Sequence, residues 1–308
     1  MNAVENLSVV PAVRADAAAV TEVVAALESS LYPQTATSFS QQDLVAEWSG
    51  LDLERHTHVV RDGDGVVGYG AAHDRGELWS AEGYVHPAAH GRGVGRLLAA
   101  TFERNAAAGG ARRIQNGVYE PDVAACSLLE WIGYRPVRVF REMRIELTAP
   151  PPMPIWPEGL RVAAFEPKRD ALAFHAAQQE AFADAWEYTG RDFESWSKIN
   201  LQSERFDPGL WCVVRAGDEI AAGAICTANT YGGGFVQILF TRRPWRRHGV
   251  GAALLADAFR RLWACGERRV GLGVDAESDT GAFRLYERAG MTPALGWLQY
   301  EKALGPTG

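Results

Sequence analysis

The chain repeats itself, and this limits its possible folds more than any other feature. Residues 82–98 read EGYVHPAAHGRGVGRLL and residues 238–255 read ILFTRRPWRRHGVGAALL. Each is the end of an apolar strand, a proline, a basic glycine-rich turn and a helical apolar pattern. Gly93 aligns with Gly249 and Gly95 with Gly251, at an offset of 156. A second pair follows: DVAACSLLEWIGYRP from Asp122 and DTGAFRLYERAGMTP from Asp279, at an offset of 157. Upstream, VRADAAAVTEVVAAL (13–27) parallels AFEPKRDALAFHAAQQEAF (164–182). Three matches in one order indicate a duplicated domain.

The segment TAPPPMPIWPEG (148–159) divides the copies. Five of its twelve residues are proline, which removes backbone donors and favours extended chain. The expected domains are therefore 1–147 and 160–308. Within the first, alternation and 3.6-residue periodicity predict strand 7–14 and helices 16–29 (N-cap Asp16) and 41–50. Strands 56–62, 66–74 and 79–86, helix 93–108, strand 112–119, helix 122–132 and strand 135–147 follow. The second copy repeats this: strand 160–165, helices 169–183 and 191–203, and strands 211–216, 219–228 and 234–241. Helix 249–265, strand 269–275, helix 279–289 and strand 293–303 complete it. Hairpins with one strand–loop–helix crossover per copy imply an α/β fold with a mixed sheet.

The whole chain carries −7, divided as −6 over residues 1–147 and −1 over the rest. This acidic balance argues against nucleic acid as a partner. No 18-residue apolar run or basic-then-apolar leader is seen, so neither a membrane span nor secretion is expected. Four scattered cysteines form no C-x-x-C pair. A reducing cytoplasm is the expected compartment and no metal site is expected.

In RRPWRRHGVGAALL (242–255) a strand ends near Thr241 and a helix begins without an acidic cap. Amides of its first turn lack partners, and the glycines allow close backbone approach. With Arg242, Arg243, Arg246 and Arg247 beside them, they suit a pyrophosphate. The turn is not a P-loop, because no G-K-[ST] follows, and G-x-G-x-x-G is absent. R-x-x-G-x-G at 246–251, with D-x-x-A-x-x-L-Y-x-x-x-G-M at 279–291, resembles the GNAT acyltransferases, and the duplicated whole resembles tandem-GNAT proteins. The resemblance implies two GNAT domains, each with a sheet splayed after its fourth strand, and acetyl-CoA or another short acyl-CoA in the gap. Arg246, Arg247, His248, Gly249, Val250, Gly251 and Ala252 would hold the pyrophosphate. Leu239, Phe240 and Thr241 would meet the pantetheine arm, and Asp279 would add a contact. Val85, Gly91, Arg92, Gly93, Val94, Gly95 and Arg96 are the counterparts in the first copy.

The resemblance further implies that Tyr286 is the general acid for the departing thiolate, while its counterpart, Leu129, cannot donate a proton. The second copy is therefore expected to be catalytic and the first degenerate. The fourth strand of the second copy, GFVQILFT, lacks the carboxylate that often serves the family as base. Gln237 can hydrogen-bond there but cannot take a proton. The family's acceptor site borders the first-helix region, so the resemblance makes Glu180, Asp184 and Glu187 candidates for the base, with Trp186 and Tyr188 beside them as acceptor-pocket candidates. The expected activity is acetyl transfer to a primary amine of a small molecule, such as a mycothiol precursor or an aminoglycoside. The competing reading is a CoA-binding scaffold without transferase activity.

Overall fold

The computed structural model describes residues 7–35 and 39–305, and contacts divide the chain into two compact units. Unit 1 comprises residues 1–141 with 295–308, and unit 2 comprises 142–294. These boundaries differ from those of the sequence repeats.

Unit 1 starts with β1 (Leu7–Pro11), α1 (Ala17–Leu31), α2 (Gln41–Trp48) and the single-turn α3 (Leu53–His56). β2 (Thr57–Asp62), β3 (Gly65–Asp74) and β4 (Leu78–Val85) form an antiparallel meander. α4 (Val94–Ala108) then crosses over to β5 (Arg113–Tyr119), parallel to β4, and α5 (Val123–Trp131) leads into β6 (Arg135–Glu146). The strand beside β5 is β12 (Thr292–Ala303), antiparallel, from the far end of the chain. The sheet order is β1-β2-β3-β4-β5-β12.

Unit 2 repeats the plan with β7 (Leu160–Ala164), α6 (Pro167–Phe182), α7 (Phe193–Asn200), β8 (Cys212–Ala216), β9 (Glu219–Thr230) and β10 (Gly233–Thr241). α8 (Val250–Ala264), β11 (Arg269–Asp275) and α9 (Ala282–Arg288) follow. Here the position beside β11 is taken by residues 142–146 of β6, so the order is β6-β11-β10-β9-β8-β7. Arg269 and Glu146 pair across β11 and β6 at 2.6 Å. Each unit's last sheet position is thus filled from the end of the other sequence repeat.

Both repeats use the same internal devices. The buried carboxylate of Asp16 accepts from the Val13 amide and pairs with Arg61 on β2. In unit 2 the fully buried Asp170 accepts from the Glu166 amide at 2.8 Å and pairs with Arg215 on β8 at 2.6 Å. Asp16 was expected to cap α1; instead its side chain reaches back to Val13, so the backbone N–H ahead of the helix is satisfied. A Cβ on Gly95 would meet Leu128 at 2.9 Å, and one on Gly251 would meet Leu285 at 3.2 Å. The second glycine of each turn therefore lets α5 or α9 close on the start of the preceding helix.

The sheet of unit 1 is covered on one face by α4, whose Leu98 and Phe102 pack with Trp79 and Ile114. On the other face α1 and α2 bring Val20, Val24, Leu44 and Trp48 against Val59 and Tyr69. Unit 2 buries Phe174, Trp196 and Trp211 with Leu254, Leu255 and Leu262. The linker is not loose, because Arg260 on α8 donates to the Pro151 carbonyl at 2.7 Å. Among the described residues no helix is long and apolar enough to cross a membrane.

Residues 1–147 expressed alone lose the seven positions of β12 that pair with β5. An unpaired central edge exposes backbone donors and apolar side chains. The fragment should aggregate or melt without cooperativity, whereas the same fragment with 295–308 appended should melt as a unit. A sharp two-state melt of 1–147 alone would contradict the exchanged-strand architecture.

Candidate active site

In each unit the site begins where two parallel strands stop pairing. β4 and β5 pair from Leu78–Arg113 to Glu82–Gly117, beyond which residues 83–85 of β4 have no partner on that side. β10 and β11 pair only at Gly234–Val270 and Phe235–Gly271, and a register shift between Val236 and Ile238 follows. Strands that part leave backbone N–H and C=O groups facing a gap, where an extended ligand can replace the missing neighbour.

The glycine turns close the wide end of each gap. Gly93 (φ 87°) and Gly249 (φ 80°) are left-handed and stand immediately before α4 and α8. Neither helix carries a side-chain cap, so its first-turn amides point outward with the positive end of the dipole. In unit 1 the gap is a cavity of about 290 Å³. Val85, Gly91, Gly93, Val94, Gly95 and Arg96 all line it, with His90 and Leu129. Arg92 instead pairs with Asp62 at 2.8 Å. His90 donates its ring N–H to the Val85 carbonyl at 3.2 Å, and Arg96 stands 5.1 Å from the centre of the exposed Trp131 ring.

The arginine cluster of unit 2 has a different disposition from the expected anion clamp. Arg246 binds both oxygens of Asp184 (2.8 and 3.2 Å), the Ala181 carbonyl (2.7 Å) and the Thr241 carbonyl (3.1 Å). Arg242 pairs with Glu180 (2.7 Å) and Glu219 (3.0 Å), and Arg243 lies 3.5 Å from Asp184. These three guanidiniums are neutralised by carboxylates and tie the turn to the end of α6, the segment just after it and the start of β9. Arg247, at φ 66°, has no ion pair among the described residues. His248, Val250, Gly251 and Ala252 lie at the turn and helix start, while Leu239, Phe240 and Thr241 pair with β9 on the length of β10 beyond its pairing with β11. Asp279 is exposed in the turn before α9.

The acceptor-site candidates of unit 2 are mostly engaged in holding the fold. Glu180 and Asp184 serve the arginines, and Arg246 holds the Asp184 carboxyl down at about 2, too low for a base. Tyr188 donates to Gln179 at 2.6 Å and stacks on Phe182. Trp186 and Glu187 are half-buried beyond α6, with Glu187 at φ 49°. Gln237 donates to Thr227 at 3.4 Å. Tyr286 is 7% exposed in the core beside Leu285 and Met291. Burial pushes its phenol up to about 12, and the hydroxyl has no hydrogen-bond partner among the described residues.

The carboxylate absent from β10 has a counterpart on β4. Glu82 lines the unit 1 cavity at the last paired position before the strands part. Burial pushes its carboxyl upward, and the Tyr84 hydroxyl donates to it at 3.2 Å, which pulls the other way. Its side chain shares the α1 face of the sheet with Tyr69 and Tyr84, since alternate residues point to one side. The signal is present in SAEGYV: a lone acidic residue in an otherwise uncharged strand.

The acetyltransferase (GNAT) family model matches residues 22–134 and again 173–291. The chain belongs to the GNAT acetyltransferase family. It is 32% identical over 285 residues to a mycothiol acetyltransferase of Thermobispora bispora, covering 88% of this chain and 91% of that protein. A mycothiol acetyltransferase of Streptomyces scabiei is also 32% identical, over 85% of each chain. A GCN5-related N-acetyltransferase from Sphaerobacter thermophilus superposes with TM-score 0.85 at 34% identity, over 99% of this chain and 98% of that one. A tandem GNAT protein from the clavulanic acid pathway shares the fold (TM-score 0.74, 16% identity, 98% and 100% covered). The enzyme is therefore a GNAT N-acetyltransferase built from tandem GNAT segments.

Asp184 supplies a check on the arginine assignments. A depressed carboxyl contributes stability that is full above its ordinary value near 4 and is lost as pH falls through about 2. Asp184→Asn should lower the urea midpoint at pH 7 by the equivalent of about 1 kcal/mol, since a pair one-third in water is screened. Variant and wild type should converge near pH 2. Equal midpoints at pH 7 would show that the brace is idle.

Proposed function

We propose that the enzyme moves the acetyl group of acetyl-CoA to a primary amine of a small molecule, with unit 1 carrying the chemistry. The observation that carries this reading is Glu82, at the junction of the open cavity and the α1 face. The shared name of the curated relatives supports a mycothiol-related amine as one acceptor.

The residues of unit 1 fit a nucleotide thioester. The first-turn amides of α4, next to left-handed Gly93, offer donors to a diphosphate. The unpaired edge at 83–85 can pair with an amide-bearing arm, and Val85, Val94 and Leu98 give the cavity apolar walls. Bound there, the thioester supplies an activated acetyl carbon.

Proton accounting explains why a base outweighs an acid. An alkylamine with the pKa of a lysine, ~10.4, is neutral in only about one molecule in 2,500 at pH 7. It must lose a proton before it attacks. A thiol near ~8.5 leaves as thiolate without full protonation. A carboxylate whose affinity for protons is raised by burial accepts the amine proton more readily than an ordinary glutamate. Leu129 in place of a tyrosine therefore removes the smaller contribution.

Tyr286 favours a second reading, in which unit 2 carries the transfer and unit 1 holds acetyl-CoA without reacting. A phenol near 12 stays protonated and can donate a hydrogen bond to departing sulfur. The substitutions Glu82→Gln and Tyr286→Phe separate the readings. Glu82→Gln should lower kcat/KM by about 10²–10⁴-fold, the usual contribution of a general base, and Tyr286→Phe by less than threefold. The reverse pattern would move the transfer to unit 2.

A further inference from the structure

The α1 face of unit 1 has an unusual lining for which acetyl transfer alone gives no reason. Four neighbouring strands each place one aromatic side chain in a row across the sheet: Tyr69, Tyr84, Tyr119 and Trp297. Consecutive ring centres are 5.7–6.2 Å apart. One step along, in register with Glu82, the neighbours are Ala71 and Gly117. Their small size keeps bulk away from the carboxylate, and over Gly117 the neighbour is the Gln299 amide, whose Oε1 lies 3.4 Å from where a Cβ would stand. Glu82 and Tyr84 remain half-buried while Ala71 is almost fully enclosed, as expected for the walls of a recess.

The charge around this row is negative. Glu28 on α1 is 6% exposed and accepts from the Tyr119 hydroxyl at 2.6 Å, so its carboxylate lies against the rings. Both Glu28 and Glu47 of α2 act electrostatically on the Tyr84 phenol. Arg141, a nearby cation, is paired with Glu120 at 2.9 Å. Aromatic faces attract ammonium groups, and an anion placed among carboxylates is repelled.

From these observations we infer that the α1 face of unit 1 is a charge-selective acceptor site, which takes cationic primary amines that carry no carboxylate. Glu28, Tyr84 and Trp297 are its specificity-determining residues, and Glu82 faces the amine that reacts. The inference rests on unit 1 carrying the transfer and adds the substrate class. A carboxylate beside the amine would enter the field of Glu28 and Glu82 and lose the rings' attraction. Trp297 belongs to the second sequence repeat, so the site is complete only because β12 lies beside β5.

The test uses the full chain and two matched pairs of acceptors that differ by one carboxylate: cadaverine against lysine, and phenethylamine against phenylalanine. CoA thiol release is followed with acetyl-CoA, and amine binding is followed by calorimetry in the presence of CoA. Wild type should favour the carboxylate-free member of each pair by roughly tenfold or more in both readouts. Glu28→Gln keeps an acceptor for Tyr119 and should narrow that preference severalfold, as should Trp297→Leu, with melting curves confirming that each variant is folded. Equal use and equal binding of both members of each pair would overturn the inference. If no amine releases thiol, the transfer reading fails, and calorimetry still decides the site. Selective binding of cadaverine that weakens in Glu28→Gln supports it, and absent or unselective binding overturns it.

Discussion

Backbone pairing between β4 and β5 ends at Glu82, and the site of unit 1 follows from that ending. Were the two strands paired to their tips, the cavity would be filled by sheet and Glu82 would be an ordinary half-buried side chain. Parting the strands costs backbone hydrogen bonds, which water or a ligand with its own donors and acceptors must replace. The parting also places Glu82 at the edge of the gap, within reach of both faces. In the proposed reaction, donor and acceptor approach one carboxylate from opposite sides of the sheet.

The two repeats have diverged in complementary ways. Unit 1 keeps an open cavity, a carboxylate at the parting and an aromatic α1 face, but has leucine where the other repeat has tyrosine. Unit 2 keeps Tyr286 and a glycine turn, while Arg242, Arg243 and Arg246 are engaged by Glu180, Glu219 and Asp184. The exchange of last strands places residues of each repeat in the other unit, so mutations near Trp297 or Glu146 are not confined in effect to their own repeat.

Much of the fold was legible in the sequence. Periodicity, turn residues and the glycine motifs located the main helices and strands to within a few residues, because each rests on local chemistry. The single-turn α3 escaped, since four residues carry no period. Strand exchange also escaped: the pattern of β12 states that it is a strand, and nothing local states which edge it joins. Among site residues, the glycines were legible because left-handed backbone and close packing demand glycine. The partners of the arginines were not legible, since a basic turn reads the same whether its charges face a ligand or neighbouring carboxylates such as Glu180 and Asp184. Glu82 was visible as a letter, but its meaning came from its register beside Gly117 and from the burial that raises its proton affinity.

The central claim is that one carboxylate of unit 1 takes the acceptor's proton. The most direct measurement is the pH dependence of kcat/KM with a carboxylate-free primary amine. A rising limb should appear with its midpoint above the ordinary glutamate range of ~4.3, because Glu82 must be ionised to act and burial raises its pKa. That limb should vanish in Glu82→Gln, leaving only the titration of the amine itself. A limb that persists unchanged in the variant would contradict the account.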